Sequence, residues 1–351
     1  MNPLVPATDL IQVPWPVFMA LLLLVFPIHL LLMNAMIGAT GIALYARLRR
    51  DEAARRLAVH LARVVPVLVA LAVNFGVASL LFVQVLYGHL LYTSSILMGV
   101  FWLSVVFLVM AAYFAIYHFD FRLAKIGRRA CWSAALAFIL FLIIPFFFTN
   151  NMTLMLRPET WTAYFGNPGG TMLNLGDPTL WPRYLHMVTG ALAIGSLFVA
   201  VFGRAFLESR DSEAGALAVR LGLNLFGWLT VAQVGFGLVF LVLLPQDLRL
   251  MLLGENLPAT TVFVTAFLLS LIALAQAFRG RVASTATAAV IVVFLMTFVR
   301  AWVRSGYLQP HFALDQLELV PQYSPLVLFL VTLVVGAGVI AWLVRSYAAS
   351  R

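Results

Sequence analysis

Histidine is the residue type in this chain best suited to chemistry, and it occurs six times. A neutral imidazole nitrogen binds the iron of a b-type haem without any covalent link to the porphyrin, and two histidines on facing helices suffice. A histidine at a membrane surface can equally bind nothing and direct its ring toward water. The single cysteine, Cys131, excludes a disulfide framework and a covalently attached c-type haem within the chain. The six candidates are His29, His60, His89, His118, His186 and His311.

The elements that carry these histidines must be membrane helices. Of 351 residues, 63% are hydrophobic and 10% are charged, whereas a soluble domain is about 45–50% apolar and about 25% charged. Since so few charges cannot cover a large soluble core, most of the surface must face lipid. The net charge of +9 therefore indicates membrane topology rather than nucleic-acid binding. The prediction is a single integral membrane domain over 1–351.

Nine apolar runs are long enough to cross a bilayer, which takes about 20 residues for a hydrocarbon core of roughly 30 Å. With the N-terminus outside, 17 of the 22 Lys and Arg residues fall in inner segments and 5 in outer ones, as the positive-inside rule requires. We therefore predict an all-α bundle in a bacterial inner membrane, with the C-terminus in the cytoplasm. The nine predicted spans are 24–46, 64–87, 93–117, 131–149, 184–206, 219–244, 259–278, 284–304 and 324–344.

This topology groups the histidines by depth. His60 and His118 fall at the inner rim, where an inner haem between them is one alternative. His89 is expected in a short outer turn between the second and third spans. All thirteen Asp and Glu residues lie in loops or near span ends, so the buried acids that would carry protons to an oxygen-reducing site are not found. The outer group is His29, His89, His186 and His311.

The order of several short motifs, together with the predicted topology, resembles subunit I of the cytochrome bd quinol oxidases over nearly the whole chain. Asn-Phe-Gly-Val-Ala-Ser is similar to the family's Phe-x-x-Gly-Val-Ala-Thr stretch in the second helix. Arg-Tyr-Leu-His-Met-Val is similar to the segment with the axial histidine of the family's low-spin haem. Further similar stretches are Phe-Asp-Phe-Arg, Thr-Asn-Asn-Met and Tyr-Leu-Gln-Pro. In the order of the chain, the five motifs occupy 74–79, 119–122, 149–152, 183–188 and 307–310.

The resemblance implies His186 as the ligand of a low-spin haem b and His29 as the ligand of a second haem. The chain departs from the family elsewhere. The family's second axial ligand, a methionine, would fall near 261–264, where no Met or His occurs. The glutamates of the oxygen-reducing site would fall near Phe101, Val109 and Phe298. His89 is the expected replacement axial ligand, and Met251 is an alternative reached from a loop.

The family's long quinol-binding loop is here a short segment at 246–255. Gln246, Arg249 and Glu255 are its candidate quinone-binding residues, because one polar group can hydrogen-bond a quinol oxygen while an acid accepts the proton released on oxidation. A plain interfacial loop is the alternative.

These features predict a subunit with one or two haems b, ligated by His29, His89 and His186. It would exchange electrons between the membrane quinone pool and an outer redox partner, such as a c-type or multihaem cytochrome, within a hetero-oligomeric complex and without reducing oxygen. Two alternatives remain open. One is a divergent bd-type terminal oxidase, and the other is a haem-free anchor or scaffold.

Overall fold

The computed structural model describes residues 4–349, without the side chains of 124–126, 128 and 347–349. In this part of the chain the regular elements are helices, and the one β-type pairing is a single bridge between Ile11 and Leu319. The helices are α1 (Trp15–Leu48), α2 (Glu52–Leu97), α3 (Gly99–Ile126), α4 (Cys131–Met155), α5 (Leu180–Phe202), α6 (Ser212–Leu243), α7 (Gln246–Leu250), α8 (Leu257–Phe278), α9 (Val282–Leu308) and α10 (Tyr323–Ala349).

Within the described residues, every α-helix except the five-residue α7 is long and apolar enough to cross a membrane. The prediction of nine membrane helices is therefore confirmed, and the chain is a multi-pass membrane protein. Several helices are longer than the apolar runs that predicted them, because a helix can continue past the membrane surface into charged segments. The clearest case is α2, which begins after the N-cap residue Asp51 and ends at Leu97.

The predicted outer turn between the second and third spans is wrong. Helix α2 continues through that region, with one non-helical residue at Tyr87 (φ −138°, ψ 26°), and the break comes at Met98. His89 therefore lies inside a kinked helix rather than in a turn. Hydrophobicity alone did not show this, because the less apolar residues after 87 indicate a possible exit from the membrane and do not mark the end of a helix.

The membrane helices form two groups of four, followed by α10. Helices α1 to α4 pack together, and so do α5, α6, α8 and α9, with α1 against α5 as the main contact between the groups. Almost every described residue of α10 is exposed. We call the end at which α1 and α5 begin the distal end. The opposite end, formed by the turns after α1, α3, α5 and α8, is the basic end.

The two groups meet through glycines. A methyl carbon built at Gly38 of α1 would collide with the backbone of Gly195 on α5, and one built at Gly195 would collide with the carbonyl oxygen of Asn34. Because any side chain at either position would push the helices apart, the crossing depends on the close backbone approach that small residues allow in membrane helices.

At the basic end an ion pair joins the two groups. Asp211 caps α6 by accepting a hydrogen bond from the N–H of Ala214, and it also accepts one from Nε of Arg56 on α2 at 2.8 Å. The hydrogen bond from Arg56 is the main reason why the pKa of Asp211 lies below its ordinary value. A carboxyl whose pKa is lowered by folding stabilises the fold above its unfolded pKa.

We expect this contribution to disappear as the pH falls through the folded-state pKa of Asp211. In Asp211→Asn, the amide oxygen can still cap α6, but the ionic contact with Arg56 is gone. Between neutral and acidic pH, the melting temperature of the detergent-solubilised protein should therefore fall less steeply for the variant than for the wild type. Equal slopes would show that the Arg56–Asp211 contact adds nothing to stability.

Candidate functional site

His29 is held in the interface between α1 and α2 by a backbone hydrogen bond. Its Nδ1 lies 2.9 Å from the carbonyl oxygen of Ala72. A carbonyl oxygen can only accept, so Nδ1 carries the proton and Nε2 keeps its lone pair. The ring lies directly over Gly76, where an added methyl carbon would be 2.7 Å from Cε1 of the imidazole. Among the described residues Nε2 has no hydrogen-bond partner, so this nitrogen is available to a ligand.

His186 repeats this arrangement between α5 and α6. Its Nδ1 lies 2.9 Å from the carbonyl oxygen of Gln233, which again assigns the proton to Nδ1. The ring lies over Gly237, where a methyl carbon would be 2.9 Å from Nδ1. In the described chain Nε2 of His186 also has no hydrogen-bond partner. Each of the two helix groups therefore positions one imidazole in the same way.

The sequence contains a repeat that accounts for this equivalence. Each histidine stands nine residues before the glycine at the α1–α5 crossing, His29 before Gly38 and His186 before Gly195. The residue whose carbonyl oxygen accepts each hydrogen bond is the first of a five-residue stretch x-Val-x-Phe-Gly, at 72–76 and at 233–237. Sequence reasoning missed this pattern, although the paired His-x₈-Gly and Val-x-Phe-Gly spacings were available as its signal.

The two histidines lie at the same depth of the bundle. Helices α1 and α5 both begin at the distal end and cross at Gly38 and Gly195. Nine residues of α-helix rise about 13 Å, so each imidazole lies about that far from the crossing, toward the distal end.

His89 is not brought together with His29. It lies on α2 thirteen residues beyond Gly76, which corresponds to about 20 Å along the helix axis. Since both axial nitrogens must reach a single iron, His89 and His29 cannot ligate the same one. The His89 ring is 6% exposed and packs edge-on against Phe312, with centroids 4.6 Å apart, and its Nε2 is buried without a hydrogen-bond partner.

The other three histidines have polar partners. His60 on α2 lies 3.8 Å from Asp211, and Nδ1 of His118 is 2.6 Å from the hydroxyl oxygen of Ser133. His311, after α9, lies 3.6 Å from Glu159. Each of these three histidines therefore has a polar neighbour in the described structure.

The candidate quinone-binding residues lie around α7 at the distal end. Arg249 is half-buried and donates a hydrogen bond from Nη1 to the carbonyl oxygen of Val242 at 2.9 Å. Gln246 and Glu255 are exposed, and within the described residues no ion pair joins Arg249 to Glu255. Met251 packs with the apolar cluster around Leu248.

Comparison of the sequence with known protein families and with curated proteins finds no match to either. Any account of function therefore rests on the geometry of the chain itself. In the described part of the chain no three His, Cys, Asp or Glu side chains form a metal-binding group.

Proposed function

We propose that the protein is a membrane electron-transfer subunit that binds one haem b at His29 and one at His186. The observation that carries this proposal is the duplicated histidine geometry. Two imidazoles at one depth each donate through Nδ1 to a helix carbonyl, lie over a glycine, and leave Nε2 without a partner.

This donor set fits haem b. Iron takes the unprotonated nitrogen of a neutral imidazole. A hydrogen bond from the other ring nitrogen to a backbone carbonyl fixes the tautomer and makes the ligand more basic. When bound, haem supplies reversible one-electron chemistry. The chain itself supplies the ligand nitrogen, its orientation, and apolar helix surfaces that exclude water.

The glycines beneath the rings have a distinct task. Gly76 and Gly237 lack the side chain that would occupy the space of the imidazoles, so α2 and α6 can approach closely enough for their carbonyls to hold the rings. Because these contacts lie within helices, the donor positions are fixed by rigid elements rather than by loops.

The spans support electron transfer without oxygen reduction. Within the described helices, no Asp or Glu lies at mid-depth, and Asp120, which lies within α3, is close to its basic end. A site that reduces oxygen needs protons delivered to it through the membrane, and buried acids are the usual carriers. We propose that the chain descends from the bd-oxidase fold and has lost that chemistry.

The charge distribution supports an orientation of the bundle in the membrane. Of the 22 basic residues, 17 lie at the basic end and in the C-terminal tail. In a bacterial inner membrane, this distribution favours a basic end that faces the cytoplasm and a distal end that faces the outer side. Both histidines then lie nearer the outer surface, within reach of a c-type or multihaem cytochrome subunit. Quinol bound near Gln246, Arg249 and Glu255 would release its protons directly to the outer side, with Glu255 as the acceptor.

The test is anaerobic reduction of the purified protein by a short-chain quinol, followed by optical absorbance at the haem α-band. We expect reduction of haem in the wild type, slowed about tenfold or more in Arg249→Ala, because the quinol loses its hydrogen-bonding partner. Arg210→Ala, at an exposed arginine of the basic end, is the matched control and should behave as the wild type.

Each alternative has its own signature in the same experiment. Oxygen uptake coupled to quinol oxidation would show a working terminal oxidase. Haem that dithionite reduces but quinol does not would contradict the quinone part of the proposal. A protein without haem would be an anchor or scaffold.

A further inference from the structure

Three arginines lie in the distal half of the bundle without any acidic partner. Arg304 on α9 is 4% exposed, and its Nε and Nη1 atoms are buried with no hydrogen-bond acceptor. Nε of Arg183, near the start of α5, is buried and unpartnered in the same way. Arg300, one turn before Arg304, has these two arginines as its charged neighbours. Within the described residues, none of the three forms an ion pair.

Aromatic rings surround these arginines but cannot accept their hydrogen bonds. The guanidinium carbon of Arg304 lies 4.5 Å from the ring centroid of Tyr87, and that of Arg300 lies 4.7 Å from Phe26. A cation over an aromatic face gains some electrostatic stabilisation. The N–H donors in the plane of each guanidinium still need acceptors, because an unsatisfied buried charge is strongly unfavourable.

Among the described residues, the nearby carboxylates form no ion pair with the three arginines. Asp9, close to Gly88 and His89, is exposed. Asp177 accepts a hydrogen bond from Nε of Arg157 at 2.6 Å and two further hydrogen bonds from the backbone N–H and the hydroxyl of Thr179. Glu159 lies 3.6 Å from His311. Arg183 has the Tyr307 hydroxyl and Asp177 as neighbours, but the side chains described here still leave an excess of positive charge, which a bound anion would balance.

We propose that the buried Arg304 and the half-buried Arg183 and Arg300 form an anion site that takes an oxyanion, either carboxylate or phosphate. Guanidinium groups match both chemically, because their parallel N–H donors bind two oxygens at once. The buried hydroxyl of Tyr87 and Nε2 of His89, neither of which has a hydrogen-bond partner, add neutral polar groups to the same region.

The site adjoins both proposed haem positions, which identifies one source of the oxyanion. Phe26 lies between Arg300 and His29, with its ring centroid 6.2 Å from that of the imidazole. Arg183 lies one helical turn before His186. These arginines would be placed to hold the propionate carboxylates of a porphyrin bound at either histidine. Binding of a haem propionate depends on the proposed function, whereas binding of a free oxyanion such as phosphate does not.

The test compares Arg304→Met, Arg300→Met and the charge-retaining Arg304→Lys with Arg281→Met, an exposed arginine at the other end of α9. The first measurement is a redox titration of the purified protein. Removing a positive charge beside the propionates disfavours the reduced haem. The two methionine variants should therefore show about a tenfold lower ratio of reduced to oxidised haem at fixed potential, a shift of about 59 mV for one electron. Arg304→Lys should recover much of this shift, and Arg281→Met should show none.

The second measurement is thermal melting in inorganic phosphate against chloride at equal ionic strength. A free oxyanion at the site would raise the melting temperature of the wild type but not of the methionine variants, with no change in potential. Either result supports the anion site and identifies its source. If Arg304→Met and Arg300→Met match Arg281→Met in both measurements, the site is refuted. If no haem copurifies, the proposed function fails, and the phosphate comparison still decides this inference.

Discussion

Replacement of Gly237 by valine is expected to remove one of the two haems from each chain, although no ligand is changed. A methyl carbon at this position would lie 2.9 Å from Nδ1 of His186, so valine must displace the ring and break its hydrogen bond to Gln233. Without that bond the tautomer and the direction of Nε2 are no longer fixed. Gly76→Val should have the same effect at His29. The measurement is haem per chain by the pyridine haemochrome assay.

Gly235 provides the matched control. It lies two residues from Gly237 on the same helix, and a side chain added there meets nothing within 4 Å. Gly235→Val should keep both haems and the wild-type spectrum. A Gly237→Val protein with its full haem complement, or an equal loss in both variants, would mean that the contact between ring and glycine does not position a ligand.

Gly195→Leu should destabilise the protein strongly. Its side chain would enter the backbone of Asn34 and Gly38 on α1, and a backbone cannot move aside as a flexible side chain can. Overpacking costs about 1–3 kcal/mol where neighbours can adjust, so we expect about 3 kcal/mol or more here. The separation of the two helix groups should appear as a lower melting temperature in detergent.

The control for this change is Gly336→Leu on α10, where an added side chain meets nothing within 4 Å. This variant should melt as the wild type does. If Gly195→Leu also melts normally, the contact between α1 and α5 is not the close glycine crossing described above.

The number of membrane helices could be predicted from sequence because a long apolar run is a strong signal, and burial in lipid requires each run to be helical. Helix ends could not be predicted in the same way. Asp51 caps α2 well before its apolar run begins, and Tyr87 kinks that helix without ending it. The placement of His89 in a turn failed for this reason.

The candidate site was only partly accessible from sequence. His29 could be singled out because an imidazole within an apolar run needs a partner, and His186 because the resemblance to the bd oxidases implies a haem ligand there. Their hydrogen-bond partners could not be predicted, because Ala72 and Gln233 contribute backbone carbonyl oxygens, which every residue type has. The arginine cluster was also missed. Arg300 and Arg304 are two of the five basic residues that charge counting places in outer segments, and their burial depends on how α9 packs against its neighbours.

The most direct test of the account is the haem content and optical spectrum of the purified wild type, His29→Ala, His186→Ala and the double variant. We expect two haems b per chain in the wild type, one in each single variant and none in the double variant, with a b-type α-band throughout. A wild type without haem, or single variants that keep both haems, would contradict the proposal that these histidines are the ligands. Absorption by haem d in the red would instead identify a working oxidase.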